Sequence, residues 1–311
     1  MKIVFMGTPD FAVPMLQGLI DEGYDIAAVY TRPDAPSGRG RALAASPVKL
    51  LAGRHGLTVV QPRSLKKLEA QEELARFAPD AIVVAAYGLI LPQAVLDIPH
   101  LGCVNVHASL LPRHRGAAPI TASILSGDEF TGVSIMRMDA GIDTGAVYSR
   151  SMIPIFDWDT AGTLSGRLAL IGAAALLDVL PQIERGSIGP IPQPAEGATY
   201  ASMLSKEVGR IDWLKPGVDI WRQVRAFQPW PGAYTTWEGK LIKLIETVPF
   251  ADTSPEIPGI VVGLSGGASG VGVATGDGVL GIKRLQLEGK KPVTAGEFLR
   301  GARGFIGAVL G

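Results

Sequence analysis

Asn105 and His107 stand two residues apart at the end of the apolar run 102–106, and Asp143 follows within the glycine-marked stretch Met138-Asp139-Ala140-Gly141-Ile142-Asp143-Thr144-Gly145. In a strand, side chains two apart share a face, so the amide and the imidazole are expected side by side. That pair suits acyl transfer to a neutral amine. The amide donates to the oxyanion of a tetrahedral intermediate, and the imidazole moves a proton from the attacking to the leaving nitrogen. The Asp143 carboxylate would orient the imidazole or adjust its proton affinity. Each residue taken singly has a plainer use: Asn105 satisfies backbone at a strand end, His107 packs as a partly buried histidine, and Asp143 closes a turn. Their joint occurrence with Ser109-Leu110-Leu111-Pro112 carries the weight.

The elements that must hold these residues are legible as alternating patterns. Residues 3–6, 26–30, 57–60, 81–86 and 103–106 are near-continuously apolar, as strands of a parallel sheet covered on both faces should be. Helices are expected between them over 11–22, 47–55 and 65–77, the second with Ser46 as N-cap and Pro47 at its first position. Strand and helix in alternation predict an α/β doubly wound sheet with right-handed crossovers. Ligands of such sheets sit beyond the carboxyl ends of the strands, where Gly7-Thr8-Pro9, Tyr87-Gly88 and His107-Ala108 fall. The first strand turn reads Gly7-Thr8-Pro9-Asp10 and lacks the dinucleotide fingerprint, which argues against a nicotinamide enzyme.

Further strands are expected over 132–138 and 146–155. A long helix over 159–184 would carry Leu164, Leu168, Ile171, Ala175 and Val179 on one face, with Pro181 kinking or ending it. Residues 186–194 have the Gly/Pro content of a linker. From Lys206 the pattern changes to short segments at 241–247, 259–262, 270–274 and 280–287, then a helix at 295–303: a small β-barrel. The expected division is a catalytic domain over 1–185, a linker over 186–205 and a second domain over 206–311.

Composition narrows the function classes. The 311 residues carry 29 basic and 29 acidic side chains, so the whole chain is not an obvious polyanion binder, but from Lys206 onward there are 13 basic against 10 acidic residues. The lone Cys103 permits no intrachain disulfide and fits a reducing compartment. No leader pattern follows Met1-Lys2, and no run was expected to reach the ~18 to 20 apolar residues that span a bilayer. His55, His100, His107 and His114 show no metal-ligand spacing. A cytoplasmic location is expected.

The Asn105-x-His107 pair, the Ser109-Leu110-Leu111-Pro112 run, Arg115-Gly116 and the downstream Asp143 resemble the signature of formyltransferases that use 10-formyltetrahydrofolate. The resemblance extends from 5–12 through 85–92 to 225–232, and within that group it is to the methionyl-tRNA formyltransferases. It implies a Rossmann-like formyltransferase domain and an open, oligonucleotide-binding-type barrel. Asn105, His107 and Asp143 would be catalytic. Ala86, Tyr87, Gly88, Leu89, Ile90, Ser109, Leu110, Leu111, Pro112, Asp139 and Gly141 would shape the folate site, and Gly7, Thr8, Pro9 and Phe11 the acceptor cleft. The loop 32–49 holds Arg32, Arg39, Arg41 and Lys49 against only Asp34. By resemblance it enters the tRNA acceptor stem, with Arg39 as its key arginine and Arg41 and Lys49 as further tRNA contacts, together with Lys206.

In the second domain, Arg222, Lys240, Lys243, Lys283, Lys290 and Lys291 are candidates for phosphate contact. Trp221, Phe227 and Trp230 are expected in the core, from a group that also includes Trp213 and Trp237. The implied activity is transfer of the formyl group of 10-formyltetrahydrofolate, a co-substrate, to the α-amine of methionyl-initiator-tRNA for translation initiation, without a metal. The expected partners are that tRNA and the folate, with no membrane, and the expected state is a monomer. A formyltransferase for a small amine, on a nucleotide sugar or glycinamide ribonucleotide, shares most of the motifs, but the basic Arg39 loop argues against it. A non-catalytic tRNA-binding protein would have no reason to retain Asn105, His107 and Asp143 together.

Overall fold

A computed structural model of the chain describes residues 1–37, 42–250, 257–264 and 270–311. They divide into two units. The first comprises Met1–Pro119, Phe130–Pro154 and Leu164–Ala201, and the second Ile120–Glu129, Ile155–Thr163 and Ser202–Gly311.

The apolar runs of the first unit become its strands: β1 (Lys2–Gly7), β2 (Asp25–Tyr30), the short β3 (Ala35–Ser37) and β4 (Ala42–Ala44), β5 (Val59–Val60), β6 (Ala81–Ala85), β7 (Cys103–His107), the two-residue β8 (Arg115–Gly116), β9 (Phe130–Arg137), β10 (Val147–Pro154) and the two-residue β11 (Tyr200–Ala201). The main sheet has the order β10-β9-β7-β6-β1-β2-β5. It is parallel from β7 to β5, with β9 and β10 antiparallel at the other edge. Every residue of β6 and β7 is buried, as covered parallel strands require. Cys103 shares that burial, which pushes its thiol up to about 12.

The chain leaves β1 for β2 and β5 on one side and returns to β6 on the other. That reversal puts a crevice at the carboxyl ends of β1 and β6. Gly7 closes β1 there because a Cβ would lie 2.7 Å from Ala12 Cβ and 2.8 Å from the Phe5 ring. Close packing explains this glycine better than the turn the sequence suggests.

The helices are α1 (Val13–Asp21), α2 (Pro47–Arg54), α3 (Leu68–Arg76), α4 (Gln93–Leu96), α5 (Pro119–Leu125) and α6 (Ala161–Glu184). Ser46 caps α2 as expected, its hydroxyl oxygen accepting from the Lys49 amide at 3.1 Å. Helix α6 bears on two expectations. Pro181 does not end it: the helix continues to Glu184, and the Arg185 amide still reaches the Pro181 carbonyl at 3.2 Å. By length and composition α6 is also long and apolar enough to cross a membrane, because its glycines and alanines count toward the span although no unbroken apolar run announces it. Leu164, Leu168, Leu176, Val179 and Leu180 are buried, whereas Ile171 and Ala175 are only half-buried. The buried stripe therefore lies about one position from the expected face.

Residues 186–201, linker-like in composition, lie within the first unit. Val147 and Ile191 exchange backbone hydrogen bonds at 2.8 and 2.9 Å, and β11 pairs in parallel with β8.

The second unit adds α7 (Gly217–Ala226), β12 (Ala233–Trp237), β13 (Lys240–Phe250), β14 (Val261–Gly263), β15 (Val271–Ala274), β16 (Val279–Leu287), β17 (Val293–Thr294) and α8 (Ala295–Gly301). The sheet β12-β13-β16-β15-β14, with β17 on β16, is antiparallel throughout and curls into a half-barrel. Register breaks between Leu244 and Thr247 bend its longest pair. Trp213, Ile220, Val224, Ile242, Leu244, Leu280, Ile282 and Phe305 form the core. Phe227 is buried and Trp221 half-buried under the Arg225 guanidinium, but Trp230 is 50% exposed, contrary to the expectation of a core residue. It rides a proline-flanked turn between α7 and β12 that points outward. Residues 155–163 are tied into this unit by Arg225, whose Nη2 and Nε donate to the Phe156 and Asp159 carbonyls at 2.6 and 2.9 Å.

Candidate active site

Strand β7 carries Asn105 and His107 to the rim of the sheet. Asn105 lies between Val84 of β6 and Met136 of β9, and His107 opposite Ser134 of β9. They are 8% and 6% exposed. No described residue hydrogen-bonds the Asn105 side-chain amide, which is not among the fully enclosed unpaired polar groups and so stays open to solvent or a ligand.

His107 is held on one side only. Its Nε2 lies 3.0 Å from the His114 carbonyl oxygen. A carbonyl can only accept, so Nε2 carries the proton and neutral His107 presents the Nδ1 lone pair. That Nδ1 faces Asp143 Oδ2 at 3.6 Å. The gap is too long for a good hydrogen bond, yet close enough for the carboxylate to stabilise the imidazolium once Nδ1 takes a proton.

Asp143 sits in the β9–β10 loop, whose shape follows from its small and acidic residues. Asp139 Oδ1 accepts from the Gly141 amide at 3.0 Å and the Thr144 hydroxyl at 2.7 Å. A Cβ on Gly141 would lie 1.9 Å from Thr144 Oγ1, and one on Gly145 only 1.8 Å from the Arg137 carbonyl oxygen. Asp143 itself is left-handed, at φ 52, and its Oδ2 accepts from the Gly116 amide at 2.8 Å. Asp139 and Gly141 therefore build the loop that presents Asp143.

The 109–112 run packs inward. Ser109 is fully buried, its hydroxyl donating to the Arg113 carbonyl at 2.6 Å and its own carbonyl accepting from Ser134 Oγ at 2.7 Å. Leu111 is buried too, its amide donating to Ser134 Oγ at 3.0 Å, while Leu110 and Pro112 are half-buried. In the 86–90 loop Ala86 and Gly88 adopt positive φ and are exposed, Leu89 is half-buried and Ile90 exposed. Tyr87 is buried, its hydroxyl has no partner among the described residues, and burial raises its phenol. Thr8 Oγ1 donates to the Tyr87 carbonyl at 2.9 Å, and Arg32 Nη1 donates to the Gly88 carbonyl at 2.7 Å, which joins the two rims of the crevice. Of the four acceptor-cleft candidates, Gly7 and Phe11 are buried, Thr8 is half-buried, and Pro9 is exposed.

Arg39 and Arg41 lie outside the described residues. Lys49 is engaged internally: its Nζ donates to Asp34 Oδ2 at 2.7 Å and Gln61 Oε1 at 2.8 Å. Hydrogen bonds to Asp34, first from Lys49 and then from Gln61 Nε2 to Oδ1 at 2.9 Å, hold its carboxyl below the usual carboxylate range. Lys206 is exposed in the second unit, where Arg222 pairs with Asp219 and Lys283 with Glu246, each at 3.3 Å.

Two site residues escaped the sequence reading. Thr199 Oγ1 accepts from the His114 amide at 2.8 Å, and Gln193 reaches the Asp143 loop. Gln193 lies in the Gly/Pro-rich stretch and Thr199 just beyond it, where a lone polar residue gives no periodic signal.

Comparison with known proteins fits this layout. Residues 1–180 match the family described as formyl transferase, and residues 203–303 the formyl transferase C-terminal domain. The methionyl-tRNA formyltransferase of Dehalococcoides mccartyi is 52% identical over 100% of this chain and 98% of its own length. That of Stutzerimonas stutzeri is 48% identical over 97% of this chain and 95% of its own. HypX from Aquifex aeolicus, in complex with tetrahydrofolic acid, shares the fold with a TM-score of 0.62 at 20% identity; 96% of this chain matches 48% of that one. On the match over its first 180 residues and on relatives about half identical along its whole length, the chain belongs to the formyl transferase family.

Proposed function

We propose that the protein transfers the formyl group of 10-formyltetrahydrofolate to the α-amine of methionine esterified to initiator tRNA, for translation initiation in the cytoplasm. The observation that carries the chemistry is the Asn105 amide, without an internal partner, at the strand end where the open Nδ1 of His107 faces Asp143. The relatives' names supply the acceptor. The neutral amine attacks the formyl carbon, and the carbonyl oxygen, becoming an oxyanion, takes the Asn105 N–H. The proton leaving the amine passes to His107 Nδ1 and then to N10 of the departing folate, so the C–N bond breaks as tetrahydrofolate leaves. The His114 carbonyl keeps Nε2 protonated throughout, and Asp143 stabilises the transient imidazolium. The folate would lie along the 86–90 loop and the β9–β10 loop. Arg39, Arg41 and the exposed Lys206 would meet tRNA phosphates. Lys49 contributes indirectly, by pinning Asp34 and Gln61 at the base of the loop.

The test is to incubate the protein with 10-formyltetrahydrofolate and methionyl-tRNA, and separately with small amine acceptors including amino sugars, and to follow tetrahydrofolate release. Release with methionyl-tRNA alone is expected. Release with a small amine but not with the tRNA overturns the acceptor assignment.

A further inference from the structure

We infer that Gln193 is a positioning residue for Asp143, acting through the backbone of the β9–β10 loop. The inference rests on the reading of Asp143 as the partner of His107. The Gln193 amide spends its full hydrogen-bonding capacity at one place. Its Nε2 donates to the Asp143 carbonyl at 2.8 Å and to the Gly145 carbonyl at 2.7 Å. Its Oε1 accepts from Arg115 Nη2 at 2.9 Å and Nε at 3.1 Å. Arg115 leads directly into Gly116, whose amide holds Asp143 Oδ2. The chain thus closes a circuit: Gln193 grips the backbone of Asp143, Arg115 grips Gln193, and the residue after Arg115 grips the Asp143 carboxylate.

Two features show why such a clamp is needed. Asp143 is left-handed at φ 52, a conformation that Asp tolerates better than most side-chain-bearing residues but that still has to be held in place. Its carboxylate must also stay 3.6 Å from His107 Nδ1, a gap that a small loop movement would widen. Arg115 is buried and meets no carboxylate at ion-pair distance among the described residues, so its charge is spent on Gln193 Oε1. A cation on the amide oxygen strengthens the two N–H donors at the other end of the same group.

Docking of the 186–201 segment does not depend on this amide. Val147 and Ile191 already exchange two backbone hydrogen bonds, and Tyr200–Ala201 pair with β8. A residue needed only to fasten the segment would duplicate those bonds, whereas Gln193 alone reaches both carbonyls flanking Thr144.

The experiment uses the full chain, with Gln193→Ala, Gln193→Glu, Asp143→Asn and the double variant Asp143→Asn with Gln193→Ala, following kcat, KM for 10-formyltetrahydrofolate and Tm. Gln193→Glu keeps the acceptor for Arg115 and removes both donors to the loop. Both Gln193 variants should lose about 10- to 100-fold in kcat, the scale of a small misplacement at a reacting group, with KM changed less than about threefold. In the Asp143→Asn background, Gln193→Ala should cost less than about threefold more, because the residue acts only through Asp143.

Unchanged kcat in Gln193→Ala, full activity in Gln193→Glu, or an undiminished loss in the Asp143→Asn background would each overturn the inference. If Gln193→Ala fails to fold, Gln193→Glu decides between the first two outcomes. Near-normal turnover of Asp143→Asn would instead overturn the underlying reading of Asp143, whatever the Gln193 variants do.

Discussion

Asn105 and His107 share a strand and a function but differ in what the fold asks of them. The Asn105 amide makes no hydrogen bond to a described residue, so truncation sacrifices no internal hydrogen bond. Asn105→Ala should lower kcat at least about 100-fold, the scale of a lost oxyanion donor, and leave Tm almost unmoved. His107→Ala should cost as much in turnover but also lower Tm by several degrees, because it removes the buried hydrogen bond to the His114 carbonyl, worth about 1 kcal/mol. Kinetics and thermal melts of the two variants check this directly. Equal melting with unequal turnover would refute the hydrogen-bond account, and near-normal turnover in either would remove that residue from the chemistry. The juxtaposition was legible because strand alternation is a strict rule. The tautomer was not, since nothing in the spacing of His107 and His114 announces that a backbone carbonyl at 3.0 Å fixes the proton on Nε2.

Elements with a repeating physical signature could be read, and those held by single long-range bonds could not. The parallel strands appeared as apolar runs because both their faces are buried. The pairing of β8 with β11 escaped notice because two residues carry no period and the partner lies far along the chain. Helix α7 was not anticipated: Trp221 was expected only as a core residue, whereas the Arg225 guanidinium stacks on its ring within that helix. The hairpin of β3 and β4 was folded into a structureless basic loop. In the β9–β10 loop the glycines signalled a turn, but only the structure shows which one is sterically obligatory. Gly145→Ala would put a Cβ 1.8 Å from the Arg137 carbonyl oxygen, so the strand end must shift and carry Asp143 away from His107. At least a tenfold drop in kcat and a lower Tm are expected. Gly189→Ala, which adds its Cβ in open space, serves as the control and should be neutral. Similar kinetics for the two variants would show that the loop tolerates displacement.

At the scale of the whole molecule, composition marked a change near Lys206, and a +3 balance follows it against −3 before it. It did not mark how the chain is shared out. Ile120–Glu129 and Ile155–Thr163 belong to the second unit although they precede the change, and residues 186–201, which look like a linker, belong to the first. Only long-range hydrogen bonds reveal this, such as those from Arg225 to the Phe156 and Asp159 carbonyls or from Gln193 to the Asp143 loop. The position of a cut therefore matters. A chain ending at Arg185 and one ending at Ala201 lose residues 202–311 alike, so whatever that common loss exposes cancels in the comparison. They differ in the Val147–Ile191 exchange, the β8–β11 pairing, the Thr199 bond to His114 and the Gln193 clamp. The longer fragment should melt several degrees higher and bind a folate analogue about tenfold more tightly, because the Asp143 loop is ordered before the ligand arrives and the ordering cost is not charged to binding. Calorimetric titration and thermal melts of the two fragments decide the matter. Equal affinity and equal Tm would mean that residues 186–201 contribute only a connection, as their glycines and prolines suggest.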